Sequence, residues 1–302
     1  MEFARQITLP EIGSKGHNKI RKAEFTIMGV GSLGTWAALI LGSMGAGNVK
    51  LIDRDIVDES NLYHQPLYKK NDVGEPKATA SKKSLQEMFP QTKWETFDID
   101  LNSNNIEKVK ANVILDCTDN LETRYLLNEW CIKNKQPWVH AATIGVSGTV
   151  CSFLPGKACF KCLYPNAIAE ETCETRGIFN PVASITASIQ ATEAIKISLG
   201  KEIDEGFIRI NAIPLSVERI TFRKNPFCLV CSQKKFEMLE KKPQKLITFC
   251  GGSVYQGYIE QKSMKIAYER RGPLTIFRDG RVLIKAGNEK QAKSILARYF
   301  PL

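Results

Sequence analysis

Gly29-Val30-Gly31-Ser32-Leu33-Gly34 constrains this chain more than any other stretch. A short apolar run, Phe25 to Val30, leads into the glycines. Thr35 to Met44 follows as a mostly apolar segment of helical character, and Val49 to Ile52 is a second apolar run that ends at Asp53. The order is strand, glycine turn, helix, strand, acid, which is the opening unit of a nucleotide-binding α/β fold. Glycines let the backbone turn sharply and approach a phosphate closely. The helix N-terminus behind them offers unpaired N–H groups to that phosphate. Asp53 lies 19 residues past Gly34, where a carboxylate can take a pair of ribose hydroxyls.

The rest of the chain extends this unit. Residues 56–80 are polar and turn-rich with Leu62, Tyr63, Leu67 and Tyr68 inserted, as in an active-site segment. Helices are predicted over Lys77 to Phe89, Asn105 to Val109, Glu122 to Asn134 and Ala183 to Leu199, and strands over Trp94 to Ile99, Val113 to Asp116, Pro137 to Ala142, Gly148 to Phe153, Phe207 to Asn211 and Ser216 to Phe222. Asp116-Cys117-Thr118-Asp119-Asn120 follows a buried strand directly, at the rim where open α/β sheets bind ligands. The charged stretch Lys234 to Pro243 reads as a linker. Beyond it, Leu274 to Phe277, the Asp279-Gly280 turn and Val282 to Lys285 read as a hairpin, with a terminal helix over Asn288 to Tyr299. The expectation is a Rossmann-like open, largely parallel sheet flanked by helices over residues 1–240, and a small α/β domain over 244–302.

No run of 18 apolar residues exists, and the N-terminus has no apolar signal core, so a cytoplasmic protein without a membrane span is expected. The net charge is +10, and residues 241–302 hold 13 Lys or Arg against 4 Asp or Glu, so +9 of it lies there. A basic domain of this kind steers toward an acidic protein or a nucleic acid.

Nine cysteines in 302 residues are not a disulfide scaffold, and four fall in two CxxC pairs. Cys159-Phe160-Lys161-Cys162 and Cys228-Leu229-Val230-Cys231 supply four thiolates suited to one structural zinc. The turn Asn225-Pro226-Phe227 before the second pair is placed to offer N–H groups to the sulfurs. Cys117, Cys131 and Cys151 sit in apolar elements and read as core. Cys173, within a polar, helix-poor stretch, has the exposure that a covalent role needs.

Together these pieces resemble the E1-like adenylating enzymes that activate ubiquitin-like sulfur carrier proteins, the family of molybdopterin-synthase and thiamine-pathway adenylyltransferases. The resemblance covers residues 1 to about 235. It rests on ARQI at Ala4 to Ile7, GVGSLG at Gly29 to Gly34, DRDIVDESNL at Asp53 to Leu62, GEPK at Gly74 to Lys77, DCTDN at Asp116 to Asn120, and the two CxxC pairs. It implies that Gly29, Gly31, Ser32 and Gly34 frame the phosphates of ATP, that Asp53 holds the ribose, that Asp55 lies beside the base or metal region, and that Asn61 and Lys77 reach the phosphates. It implies further that Asp119 holds magnesium, that Cys159, Cys162, Cys228 and Cys231 hold zinc, and that Arg5 acts in the site of the partner subunit of a homodimer. One position departs: the family's arginine in NLxRQ is His64 here, in NLYHQ. Histidine is neutral for much of the time at pH 7, whereas arginine is a permanent, forked donor.

The reaction so implied is adenylation of the C-terminal Gly-Gly carboxylate of the carrier, with release of pyrophosphate. The activated carboxylate is then open to sulfur, with Cys173 as a candidate participant. The 60-residue tail is too short for a rhodanese-like domain, so a separate sulfur donor, such as a cysteine desulfurase or rhodanese, is expected. Whether the sulfur ends in molybdopterin, thiamine or a thiolated tRNA base is left open. Three rival readings stand beside it: adenylation of a non-protein carboxylate such as a tRNA-linked one, a binding protein with a degenerate site, and an NAD-dependent dehydrogenase. The last leaves the Lys77 and Asp119 segments and the cysteines without a task.

Overall fold

A computed structural model describes residues 2–165, 177–203, 206–241, 248–249, 254–259 and 268–300. The chain divides into two compact units, residues 1–241 and 242–302.

The first unit is built on an eight-stranded sheet of order β3-β2-β1-β4-β5-β6-β7-β8. Its strands are β1 Glu24–Met28, β2 Asn48–Asp53, β3 Lys93–Asp98, β4 Val113–Asp116, β5 Trp138–Ile144, β6 Ser147–Phe153, β7 Phe207–Ala212 and β8 Leu215–Ile220. β3 to β5 pair in parallel, and β5 to β8 pair antiparallel. The parallel half was expected. In the antiparallel half the β5–β6 and β7–β8 pairs follow from the tight connections at Gly145–Val146 and Ile213–Pro214, which are too short for a crossover helix. β6 and β7, by contrast, pair antiparallel across a long connection that carries the helix Asn180–Leu199.

The helices are α1 Ala4–Ile7, α2 Gly13–Lys22, α3 Ser32–Ser43, α4 Lys77–Met88, α5 Leu121–Asn134, α6 Phe160–Leu163, α7 Asn180–Leu199 and α8 Glu237–Glu240. One core joins α3 and α7 to the sheet, with Ile27, Leu41, Leu51 and Val139 fully buried. Each such aliphatic side chain contributes about 1.5–3 kcal/mol by leaving water. α7 buries Ala183, Ala187, Ala191 and Ala194 completely, and these small residues let it lie close to α3. The second core lies under α5 and holds Trp130, Trp138, Phe153 and Phe160.

The linker expected over Lys234 to Pro243 is corrected in part. Glu237–Glu240 is a helical turn docked on α5. The buried carboxylate of Glu129 accepts the N–H groups of Met238 at 2.8 Å and Leu239 at 3.1 Å. A charged surface composition concealed this anchor, because its partner is a buried acid on a distant helix.

In the second unit the described strands form an antiparallel sheet of order β11-β12-β13-β10-β9. These are β9 Thr248–Phe249, β10 Val254–Tyr258, β11 Tyr268–Arg271, β12 Leu274–Phe277 and β13 Arg281–Lys285, followed by α9 Glu289–Tyr299. The Asn288 side chain caps α9 by accepting from the Gln291 N–H at 2.9 Å. The hairpin of β12 and β13 forms as expected, with Gly280 at φ +83° in its turn. Glu269, Asp279 and Glu289 each face a basic residue of the unit, Arg271, Arg281 and Lys293 respectively.

Candidate active site and cysteine cluster

The glycine loop lies between the C-terminal ends of β1 and β2 and the start of α3. Gly29 has φ +82°, and a Cβ there would stand 2.7 Å from the Cys117 carbonyl oxygen. At Gly34 a Cβ would stand 1.9 Å from the Gly29 carbonyl oxygen, so only glycine lets the first turn of α3 close onto the loop. Asp53 clamps the same loop. Its Oδ2 accepts the Val30 N–H at 2.5 Å, and its Oδ1 accepts the Asp55 N–H at 2.8 Å. Tyr68 donates its hydroxyl to the Val30 carbonyl from the other side, at 2.5 Å. Burial pushes the Asp53 carboxyl up to about 6; the Lys77 charge opposes this and Asp55 adds to it.

Residues 55–77 leave the sheet and return to it. The return is closed by Val57 N–H to the Glu75 carbonyl at 2.8 Å and Lys77 N–H to the Asp55 carbonyl at 2.9 Å. This brings Lys77, 22 positions on, beside the acids at the end of β2. Its Nζ lies 3.5 Å from Asp55 Oδ2, with the residue only 9% exposed. Burial presses the Lys77 ammonium downward, but Asp55, Asp53 and Asp119 outweigh it and hold its pKa above the ordinary value.

Asn61 and His64 lie in the excursion. The Asn61 side chain accepts the Asp58 N–H at 3.0 Å and closes a 3₁₀ turn over Glu59–Tyr63. His64 Nε2 stands 3.2 Å from Gln65 Nε2. Burial and then the Lys77 charge lower the His64 pKa, so the imidazole is neutral at pH 7. Arg54 faces Asp100 at 3.5 Å and Asp55 at 3.9 Å, and Lys69 faces Glu87 at 3.6 Å.

The loop after β4 meets the glycine loop directly: the Cys117 N–H donates to the Met28 carbonyl at 2.8 Å. Asp119 is exposed on this loop. Beneath it lies a buried constellation absent from the sequence-based list. Asp116 is wholly buried, and its Oδ1 accepts the Thr118 N–H at 3.0 Å and hydroxyl at 2.6 Å. Its Oδ2 lies 2.7 Å from His140 Nδ1 and 3.6 Å from Arg124 Nε. Gln190 of α7 donates to the carbonyls of Asp116 at 2.8 Å and Val139 at 2.9 Å, tying β4 to β5. Only the Asp of DCTDN was visible in sequence; His140 and Gln190 come from 24 and 74 residues away.

Arg5 is exposed on α1. Its neighbour Gln6 donates to the carbonyl of Ser43, the last residue of α3, at 2.9 Å. Twelve residues of helix span about 18 Å, so Arg5 lies at the far end of α3 from its own chain's glycine loop. Cys173 lies outside the described residues. Cys117, Cys131 and Cys151 are buried, as expected, and burial pushes all three thiols up.

The cysteine pairs converge. All four sulfurs of Cys159, Cys162, Cys228 and Cys231 lie within 4.8 Å of one another. Three separations are 3.9 Å for Cys159–Cys162, 3.7 Å for Cys159–Cys228 and 3.4 Å for Cys162–Cys231. Sulfurs about 2.3 Å from a tetrahedral zinc stand about 3.8 Å apart, so the set fits that ion. The Asn225 N–H points at Cys162 Sγ at 3.4 Å, as the turn before the second pair led us to expect.

A mixed sheet whose parallel half brings a glycine loop, an acid-ended second strand and a lysine-bearing return together, in the same unit as a four-cysteine cluster, defines an E1-like adenylyltransferase. Residues 3–230 match the model of the ThiF family, and the chain belongs to that family. It is 32% identical to the sulfur carrier protein adenylyltransferase of Thermus thermophilus, over 82% of this chain and 96% of that one. To the sulfur carrier protein ThiS adenylyltransferase of Bacillus subtilis it is 30% identical over 98% of each chain, a match that runs through the second unit. Among solved structures, Escherichia coli MccB with MccA-N7isoASN superposes with a TM-score of 0.68 at 21% identity, covering 76% of this chain and 75% of that one, a likeness of fold. Among the described residues no helix is long and apolar enough to cross a membrane.

Proposed function

We propose that this protein uses ATP to adenylate the C-terminal Gly-Gly carboxylate of a ubiquitin-like sulfur carrier protein, releasing pyrophosphate and readying the carrier for sulfur transfer. One observation carries this reading: Lys77 is held charged among Asp53, Asp55 and Asp119 at the sheet edge that bears the glycine loop. The names of the Thermus and Bacillus relatives support the choice of substrate.

The chemistry asks mainly for charge compensation. The carrier carboxylate is already ionised. One of its oxygens attacks the α-phosphorus, the α–β bridging P–O bond breaks, and its electron pair leaves with pyrophosphate. Gly31, Ser32 and Gly34 offer N–H groups to the phosphates. Gly29, whose own N–H is bound to the Ile52 carbonyl, gives the loop its sharp turn, and Asp53 sets the loop and meets the ribose. Lys77 places a cation against the developing charge, with Asn61 beside the phosphates. His64, neutral at pH 7, adds little charge, so Lys77 carries the cationic role within the chain. Asp119 is the carboxylate open to magnesium, which supplies charge neutralisation on the phosphates when bound. Arg5, remote from its own site, serves the site of a second copy in a homodimer. The four cysteines hold zinc as a structural staple. Cys173 and a separate sulfur donor act after adenylation.

The test is ATP–pyrophosphate exchange with purified carriers ending in Gly-Gly, each beside a tail-truncated form. Exchange that depends on one carrier and its tail is expected. Exchange with a peptide or tRNA-linked carboxylate instead would move the substrate and keep the reaction. ATP binding without any exchange would mean a degenerate site, and the absence of both binding and exchange would overturn the reading.

A further inference from the structure

The loop that carries Asp119 is fastened at every neighbouring position. On one side, Thr118 gives its N–H and hydroxyl to Asp116, and its carbonyl accepts from the Arg124 guanidinium. On the other, the Asn120 side chain caps α5 by accepting the Thr123 N–H at 2.8 Å. Asp116 is thus the buried post to which the loop is tied. A wholly buried carboxylate is stable as an anion only if its oxygens are met by donors. Oδ1 is met by Thr118. Oδ2 is met at close range by His140, the shortest approach to that oxygen, with Arg124 farther off at 3.6 Å.

His140 is itself 2% exposed and set among aromatic rings. The Phe160 ring lies edge-on at 5.2 Å and the Trp138 ring at 6.1 Å. These contacts fix the plane of the imidazole. Asp116, held as an anion, only accepts, so Nδ1 carries the proton and donates. The register Asp116↔His140 between β4 and β5 puts the two residues side by side before any side chain turns.

We infer that His140 is a positioning residue: through its Nδ1–H bond to Asp116 it fixes the Thr118–Asn120 loop and so the placement of Asp119 toward Mg-ATP. The functional half of this inference rests on the reading of Asp119 above; the structural half does not.

Two variants and one observation on the wild type separate the possibilities. His140→Phe keeps an aromatic ring between Phe160 and Trp138 and removes the donor. His140→Asn keeps a donor near the position of Nδ1. Hydrogen exchange at the Thr118 amide reads the fastening without any assay of activity. In His140→Phe it is expected to speed up by roughly tenfold or more, and in His140→Asn to stay near wild type. Pyrophosphate exchange should then show a raised KM for Mg-ATP and a lowered kcat in His140→Phe, together about 10- to 100-fold in kcat/KM, with the carrier KM unchanged. His140→Asn should recover most of this. Equal losses in the two variants, or an unchanged Thr118 amide in His140→Phe, would overturn the inference. If the wild type shows no exchange activity, the amide data still decide the structural half and the failure belongs to the proposed reaction. If His140→Phe does not fold, imidazole nitrogen shifts in the wild type decide instead, since only three histidines need assignment. A neutral ring protonated at Nδ1 is expected, and protonation at Nε2 alone would sink the idea.

Discussion

The nucleotide edge of the sheet and the cysteine cluster are built on opposite principles. In the cluster the functional atoms have already met, with four sulfurs from two distant knuckles within 4.8 Å of one another. At the nucleotide edge Lys77 and the acids are gathered, but the other functional groups are engaged elsewhere or stand open. Asp53 holds the glycine loop, Asn61 closes a 3₁₀ turn, Asp119 stands exposed, and Arg5 lies at the other end of α3. The first arrangement is closed, with a spacing that a single zinc ion would complete. The second leaves positions open, and the proposed reaction would fill them with a polyanion, its counter-ion and a second chain. A closed site contributes to the fold, whereas an open one takes from it.

The largest effect should come from breaking the closed site. Cys228→Ala leaves three sulfurs and two loops without their tie. It is expected to lower the stability of the first unit by at least about 4 kcal/mol, or to abolish folding. Thermal unfolding alongside metal analysis checks this; about one zinc per wild-type chain and none in the variant is the expected pair of results. A variant of wild-type stability would show that the cluster does no structural work. At the open site the order reverses. Asp119→Ala should leave the unfolding temperature unchanged, because the side chain is exposed, and lower pyrophosphate exchange by about 10²–10³-fold. A fall in stability with activity retained would erase the contrast between the two regions. Mixing this variant with Arg5→Ala tests the part assigned to a second chain. Random reassociation should restore about a quarter of the activity, since half the dimers carry one intact site. No recovery would place Arg5 outside the site.

The elements legible in sequence are those whose meaning is local. The glycine loop, the acid ending β2 and both CxxC pairs declare themselves by spacing, and Lys77 by the family resemblance of GEPK. The loop, the acid and the lysine then meet at the end of β2, and the cysteine pairs meet in their own cluster. What escaped is long-range polar pairing. His140, Gln190 and Glu129 look ordinary on their own elements, and each acts on a group 24 to 110 residues away. α1 escaped for a related reason, since four residues carry too little periodicity to read and Phe3 is set by the His17 ring at 4.6 Å. The role of the basic second unit is not written in its elements either. Its net charge names no partner, and three of its acids are turned toward its own basic residues, one of them the buried Arg281.

The smallest effect, and the finest test of the contrast, concerns Asp53. Its carboxyl rises from an ordinary 3.8 to about 6, chiefly through burial. The folded protein therefore binds this proton more tightly than the unfolded chain. The stability linked to it is complete below about pH 4, falls as the pH rises, and is gone above about 6. The loss is about 3 kcal/mol at most. Asp116 works with the opposite sign: His140 and Arg124 overcome the effect of burial and hold its pKa low, so its contribution is present at neutral pH and lost in acid. The two trends overlap in the wild type, and Asp53→Asn separates them. Chemical denaturation from pH 4 to 7 should show the variant gaining on the wild type by up to about 3 kcal/mol between pH 4 and 6, then holding a constant difference, offset at every pH by the one acceptor oxygen that asparagine lacks. A difference that does not change with pH would mean that Asp53 is not strained by its position. A gain in stability accompanied by weaker ATP binding would show the open site retaining a costly buried anion because the incoming nucleotide, with its hydroxyls and metal, is what relieves it.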